Sequence, residues 1–323
     1  NLGDSELRPL ATLTAARARL RDGFPDWMLL RRGDVWSNQN LTNWRSSGRS
    51  AAEPMVVGAY GDLALPRPLI LTPHNGNFIT SGFESSTSHI AFVSLEARPT
   101  SRTVDSSCVG ILWLNPHARD LHFEDLKLSN YGDNVNLRGT FSGTQSTVMD
   151  VRLHRCSILD AYKTPDPGQG MLAVGISGLR VTECLFDHNG WNEPLGVPPN
   201  QSKRNVYIQS DCELVVFTGN HTHRSSSDGI QARAGGLLNW NLMVDNRKGF
   251  AFGHRYGGPS RPGGASGEII GNVLMDCVSL PGSAGGFGVS VGNINEIGCI
   301  VAENKNVRRS RGMTARIFSI GFS

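Results

Sequence analysis

No stretch of this sequence approaches the ~20 consecutive apolar residues that a membrane-spanning helix needs. No C-x-x-C pair occurs, so a zinc site is not expected. Aromatic residues are scarce at 7%. Charge is nearly balanced, with 31 basic against 28 acidic residues and a net charge of +3. No basic run accompanies it, which argues against a nucleic-acid partner. No convincing long helix is signalled after residue 25. The six cysteines (Cys108, Cys156, Cys184, Cys212, Cys277, Cys299) are scattered. They read as buried thiols acting as small apolar residues, with one disulfide open to them if the protein is exported. The chain starts Asn1-Leu2-Gly3 without Met, and the expected location is secreted or periplasmic.

What is present is glycine, 38 of 323 residues, and a series of short β-runs bounded by Gly, Asn, Asp, Ser or Pro. Thr12–Arg21 has Leu13, Ala16 and Leu20 on one helical face, and Gly23 and Pro25 end it. This spacing predicts a capping helix over 12–22, followed by a strand at Trp27–Arg31. The polar segment 36–50 reads as an irregular loop. From Pro54 onward short strands recur: Met55–Tyr60, Leu69–Thr72, Phe78–Thr80, Ile90–Leu95 and Gly110–Leu114.

Seven segments align under one another, starting at residues 121, 149, 179, 214, 238, 268 and 299. Each is a β-run, a small or polar residue, a second short β-run and a polar turn. The small or polar position holds Asp125, Cys156, Cys184, Asn220, Asn241, Asn272 and Asn304. Repeats of this kind, with turns of uneven length, predict an all-β parallel solenoid. An amide at the repeated position can hydrogen-bond along the stack at a sharp bend. The expectation is one domain, 1–323, with coils from 54 to 320 and an internal ladder of Asn220, Asn241, Asn272 and Asn304.

With the 12–31 helix–strand unit, these coils and these asparagines, the chain resembles the right-handed parallel β-helix superfamily, the pectate-lyase-like fold. The resemblance covers most of the chain and implies fold more than activity, since that shape serves polysaccharide lyases, glycoside hydrolases, uronate epimerases and adhesins. Ser227-Asp228-Gly229-Ile230 resembles part of the Asn-Thr-Asp-Gly element of polygalacturonase-type hydrolases. Gly253-His254 and Gly286–Ser290 faintly resemble its Gly-His-Gly element. The paired aspartates of that family are absent, since 234–245 holds only Asp245.

Stacking the coils lines up outward residues: Asn136 and Arg138, then Tyr207 and Gln209, then Gln231 and Arg233. Adjoining turns supply Tyr131 and Asp133, then His188, Asn189 and Trp191, then His221 and His223, then Arg247 and Lys248, with His254 and Tyr256 beyond. These residues suit β-elimination on a uronic acid polymer, which needs a neutralised carboxylate, a base and an acid. Arg233 or Arg138 would pair with the carboxylate, His188 or His223 would be the base, and Tyr207 the acid. Trp191 would be a sugar platform, and Asn205, Gln209, Gln231, His254 and Tyr256 further substrate contacts. The expected partner is a polysaccharide, anionic in character. Asp187, Glu193 and Asp211 are the metal candidates, with Ca²⁺ the cation considered, although no loop has a calcium spacing. Hydrolysis would need Asp187 and Asp228 to face one groove. An epimerase and a non-catalytic glycan-binding solenoid are the other readings.

Overall fold

Alternating side chains put one set of residues inside and one outside on every strand. In this chain the inside sets stack coil upon coil. The computed structural model describes residues 3–81, 86–114, 117–139, 148–165, 167–253, 263–292, 294–307 and 318–320. Among the described residues three parallel sheets hold ten strands each, and every strand between the two edges of its sheet pairs with those one coil before and one coil after. This is an all-β, right-handed parallel β-helix. Each coil contributes one strand to each sheet. Coil 6, for example, is Ile176–Thr182, Leu185–Asp187 and Val206–Ile208. Coil 7 is Val216–Thr218, His221–His223 and Asp228–Ala232, and coil 8 is Gly235–Asn239, Leu242–Val244 and Lys248–Phe252.

The register fixes the core. In the third sheet Ile79, Ile111, Val135, Met171, Val206, Ile230, Phe250 and Val289 follow one another in a single inward column. In the first sheet Phe92 and Phe123 stack at 5.7 Å with their planes 7° apart, and Trp44 meets Phe92 edge-on. Burial of such columns supplies the driving force, at about 25 cal/mol per Å² of apolar surface.

The corners depend on single left-handed residues. Between first and second sheets these are Ser94, Asp125, Arg155, Glu183, Gly219, Trp240, Gly271 and Glu303. Between second and third sheets they are Asn130, Asp160, His188, Arg224, Asp245 and Asp276. The residue after each first-corner residue turns inward, and here the expected ladder is found. The Asn220 backbone N–H donates to Asn241 Oδ1 (2.9 Å), that of Asn241 to Asn272 Oδ1 (2.8 Å), and that of Asn272 to Asn304 Oδ1 (3.1 Å). Cys184 extends the column, its N–H donating to Asn220 Oδ1 at 2.9 Å, and the Cys156 N–H reaches the Cys184 thiol.

Three boundaries differ from expectation. The helix is shorter, Leu13–Arg17, with the Thr12 hydroxyl accepting from Ala15 N–H at its start. The solenoid begins earlier, at Trp27–Arg31, because Val35–Ser37 and Leu41–Trp44 complete a first coil. Asn38 and Asn43 adopt left-handed geometry there, so a polar sequence still bends as a coil. Finally, His221–His223 is a strand rather than a turn, since Thr222 points inward and is buried while the two histidines face out.

Asn241 makes the ladder testable. Its amide donates to Phe217 O at 3.0 Å and to Asn272 Oδ1 at 2.9 Å while accepting from Asn220. Asn241→Ala strands buried groups on two sides, and denaturant titration should show a loss of about 2–4 kcal/mol. The half-exposed end rung, changed as Asn304→Ala, should cost clearly less.

Candidate functional site

In coils 4 to 8 a polar side chain stands two residues before the first inward residue of the third-sheet strand. Coil by coil these are Asp133, Gln169, Arg204, Asp228 and Lys248, ahead of Val135, Met171, Val206, Ile230 and Phe250. Stacking at about 4.8 Å per coil brings neighbours in this row within reach. Asp228 is buried and receives Arg204 Nε at 3.3 Å and Arg247 Nη2 at 2.9 Å. Lys248 follows Asp228 in register, and burial pushes its ammonium below the ordinary lysine range. Burial likewise lowers Arg204. It raises the Asp133 carboxyl, which accepts from the Gln169 N–H at 2.7 Å and from the Asn136 amide at 3.1 Å.

One strand position further along, the outward row reads Asn136, Leu172, Tyr207, Gln231, Ala251 and Ser290. Tyr207 lies between two guanidinium groups, with Arg204 4.5 Å and Arg233 5.0 Å from its ring centroid. Arg233 Nη1 contacts Gln209 Oε1 at 3.4 Å. Buried polar atoms without a protein partner gather here: Gln231 Oε1, Arg233 Nε and Arg247 Nε. Native interiors seldom leave such atoms unpaired, which points to water or a ligand group. Arg204 and Arg247 thus hold the Asp228 carboxylate, with Lys248 beside it in register, while Arg233 stands against the Tyr207 ring.

A second polar cluster sits at the corner between second and third sheets. His188 Nδ1 bonds Asp160 Oδ1 at 2.8 Å and Nε2 bonds Glu193 Oε2 at 3.0 Å. With a carboxylate on each nitrogen the ring is best satisfied as an imidazolium. The Asp160 hydrogen bond is the largest influence raising its pKa. Trp191 packs on His188, 5.2 Å between ring centroids, and its Nε1–H donates to Arg224 O at 3.0 Å. The Arg224 guanidinium grips Asp187 with bonds of 2.8 and 2.6 Å. This cluster pins the long connection 189–205, which ends at Arg204 beside Tyr207.

The structure therefore brings together Tyr207, Arg233, Gln209 and Gln231, and adds Arg204, Arg247 and Lys248. Arg138 lies on the same face three coils from Arg233, in the row of Val174, where its Nε bonds Asn136 Oδ1 at 2.9 Å. Asn205 is corrected from a substrate contact to a core residue. It has no exposed surface, and its amide donates to His223 O while accepting from Asn189 at 2.8 Å. With Asn134, Asn189 and Asn246 it forms a second internal ladder. His223 is corrected too. It stands on the outer face of the second sheet, stacked with His221, and does not face Tyr207. His188 and Trp191 belong to the corner cluster. Asp187 and Asp228 do not share a groove, since each is held by its own arginines on a different sheet. Nor do the metal candidates converge: Asp187 is held by Arg224, Glu193 by His188, and Asp211 sits near Gly175 at the far edge of the third sheet. Among the described residues no three His, Cys, Asp or Glu side chains are gathered as metal ligands. His254 and Tyr256 lie outside the described residues.

No family model matches this chain, and no curated protein matches it. Solved structures do. Two are crystal structures of GH136 lacto-N-biosidase from Eubacterium ramulus. The selenomethionine derivative is 12% identical with a TM-score of 0.44, and the native protein 11% identical with a TM-score of 0.43. Each alignment covers 94% of this chain and 65% of the other, so the chain spans about two thirds of the length of the structures it matches. The fold assignment rests on the three sheets and their register, not on this likeness.

The His188 clamp has a defined pH signature. Its folded pKa is raised, so its contribution is complete below the ordinary imidazole value and fades as pH climbs through the raised one. His188→Gln should lower the melting temperature at about pH 5.5–6.5. The gap from the parent should narrow on the alkaline side. Thermal denaturation across pH reads this directly, and a gap that widens with pH would contradict the clamp.

Proposed function

We propose that this protein is a glycan-active enzyme that binds an anionic saccharide on the third-sheet face, around Tyr207, and cleaves it by β-elimination. The observation that carries the reading is the excess of cations there. Arg204 and Arg247 share the one carboxylate of Asp228, and Arg233 adds a third guanidinium against Tyr207; partly desolvated charge of one sign is costly without a counter-anion. A uronate carboxylate meets that need. Guanidinium groups bind carboxylates through paired hydrogen bonds and hold their charge at any working pH.

The chemistry follows from the same groups. Arg204 and Arg233 neutralise the uronate, which acidifies the proton on C5. Lys248, pushed by burial toward its neutral amine, accepts that proton. The C4–O4 bond breaks as the C4–C5 double bond forms, and the Tyr207 hydroxyl gives its proton to the departing oxygen. Gln209 and Gln231 hold sugar hydroxyls. The expected base thus moves from the histidines to Lys248, because His223 faces another side and both nitrogens of His188 are occupied by carboxylates.

Hydrolysis is the second reading, favoured by Asp133, a buried carboxyl with its pKa raised and so suited to protonating a leaving group. Its weakness is distance. Asp228 lies three coils away, about 14 Å at 4.8 Å per coil, whereas inverting glycosidases keep their carboxyls about 6.5–9.5 Å apart.

Incubation with a panel of uronic acid polymers separates the two. Elimination creates an ultraviolet-absorbing double bond, while hydrolysis yields new reducing ends without it. Tyr207→Phe should lower kcat about 10²–10⁴-fold with KM little changed, and Arg233→Ala should raise KM as well. Reducing ends without absorbance, abolished by Asp133→Asn, would transfer the assignment to hydrolysis. Full activity in both Tyr207→Phe and Arg233→Ala would remove the site from the third-sheet face.

A further inference from the structure

The corner opposite the third sheet carries an anomaly of its own. In the left-handed row between first and second sheets, consecutive positions from coil 6 to coil 10 are Glu183, Gly219, Trp240, Gly271 and Glu303. Each backbone N–H bonds the residue preceding the next corner residue, as Glu183 N to Thr218 O, Gly219 N to Asn239 O and Trp240 N to Ile270 O. The row is therefore contiguous. Left-handed geometry is unfavourable for a bulky side chain, yet Trp240 adopts it with φ of 59°. It is also 61% exposed. A large aromatic that is both strained and left in water is an outlier from which function is properly inferred.

Its neighbours give the outlier a shape. The six-membered ring of Trp240 lies directly over Gly271, where an added Cβ would come within 2.3 Å of it. The ring is thus propped on one side by a residue that must be glycine. On the other side the space above Gly219 is bounded by Glu183, whose Cγ lies 3.7 Å from where a Cβ would stand, and is not reached by Trp240. Glu183 and Trp240 stand two coils apart, about 9.6 Å at the strand spacing. The result is a slot with a glycine floor, one indole wall and one carboxylate wall.

We propose that this slot is a sugar-binding subsite that takes one uncharged pyranose ring, stacked on Trp240 with its hydroxyls toward Glu183. The gap accommodates a ring in van der Waals contact with the indole and a hydrogen bond on its far side. Glu183 on one side of the slot and Glu303 two coils beyond Trp240 disfavour an anionic unit, since Arg155, the next corner residue past Glu183, is paired with Glu124. A protein partner fits less well. The row offers glycines and glutamates around one aromatic rather than the contiguous apolar core of an interface. The slot depends on none of the residues assigned to catalysis, so it stands or falls separately from the β-elimination reading.

Calorimetric titration of the full chain with uncharged hexose and N-acetylhexosamine oligosaccharides tests it, with indole fluorescence as the second readout. The parent protein should bind at least one of them. Trp240→Ala should weaken that binding about tenfold or more, with an unchanged circular dichroism spectrum and no loss of melting temperature. Gly219→Asn, which keeps the left-handed backbone but fills the floor, should do the same while Trp240 remains. Arg233→Ala should leave it intact. Absence of binding to every oligosaccharide, or equal binding by the parent, Trp240→Ala and Gly219→Asn, overturns the proposal. So does a concentration-dependent dimer of the parent that Trp240→Ala abolishes, because the corner would then be covered by a second copy.

Discussion

The whole molecule depends on a buried amide meeting its neighbour one coil away. Every coil of a parallel solenoid must turn sharply three times, and each turn tears backbone groups from the sheet ladders. Unpaired and buried, each such group costs about 1–3 kcal/mol. The asparagines at 220, 241, 272 and 304 satisfy these groups in one corner, and those at 134, 189, 205 and 246 do so in another. Because each amide both donates and accepts, a rung is complete only when the next is present. Register is thereby fixed along the axis, and with it the alignment of every outward residue.

That alignment is what makes a site. Arg204, Asp228 and Lys248 come from three different coils, yet they become neighbours because each stands two residues before an inward one. The long connection 189–205 leaves and rejoins the coil between Asn189 and Asn205, which bond each other at 2.8 Å. Its length is therefore free to vary without moving Tyr207. The corner cluster of Asp160, His188 and Glu193 then ties the loop back to the coil below.

Much of the fold is legible in the sequence, and the reasons are local. Period-two alternation around a recurring asparagine marks the coils, and each rung from 220 to 304 sits between two short β-runs, so the rungs align by eye despite uneven intervals. The second ladder is hidden because its rungs come from different turns separated by loops of uneven length, so Asn205 reads as a loop-end polar residue suited to a sugar. The histidines mislead for a related reason. His221 and His223 follow Gly219-Asn220, which signals a turn, but one left-handed residue completes the bend and Thr222 turns the next three into a strand. Tyr207, Gln209, Gln231 and Arg233 can be read as neighbours because outward alternation alone places them. Arg204 escapes notice because a buried cation is unexpected in a sequence, and Arg247 and Lys248 read only as turn residues beside the row, although Arg204 and Lys248 share one offset, two residues before Val206 and Phe250.

A stack in which each coil touches only its neighbours has no single core to melt. Opening starts where a coil has one neighbour instead of two and travels inward rung by rung, as a zipper does. Coils 6 to 8, which hold Tyr207, Arg233 and Lys248, have at least two coils outside them at either end. Fraying must pass through those coils before it reaches Tyr207, so a coil set between others is shielded by its neighbours on both sides.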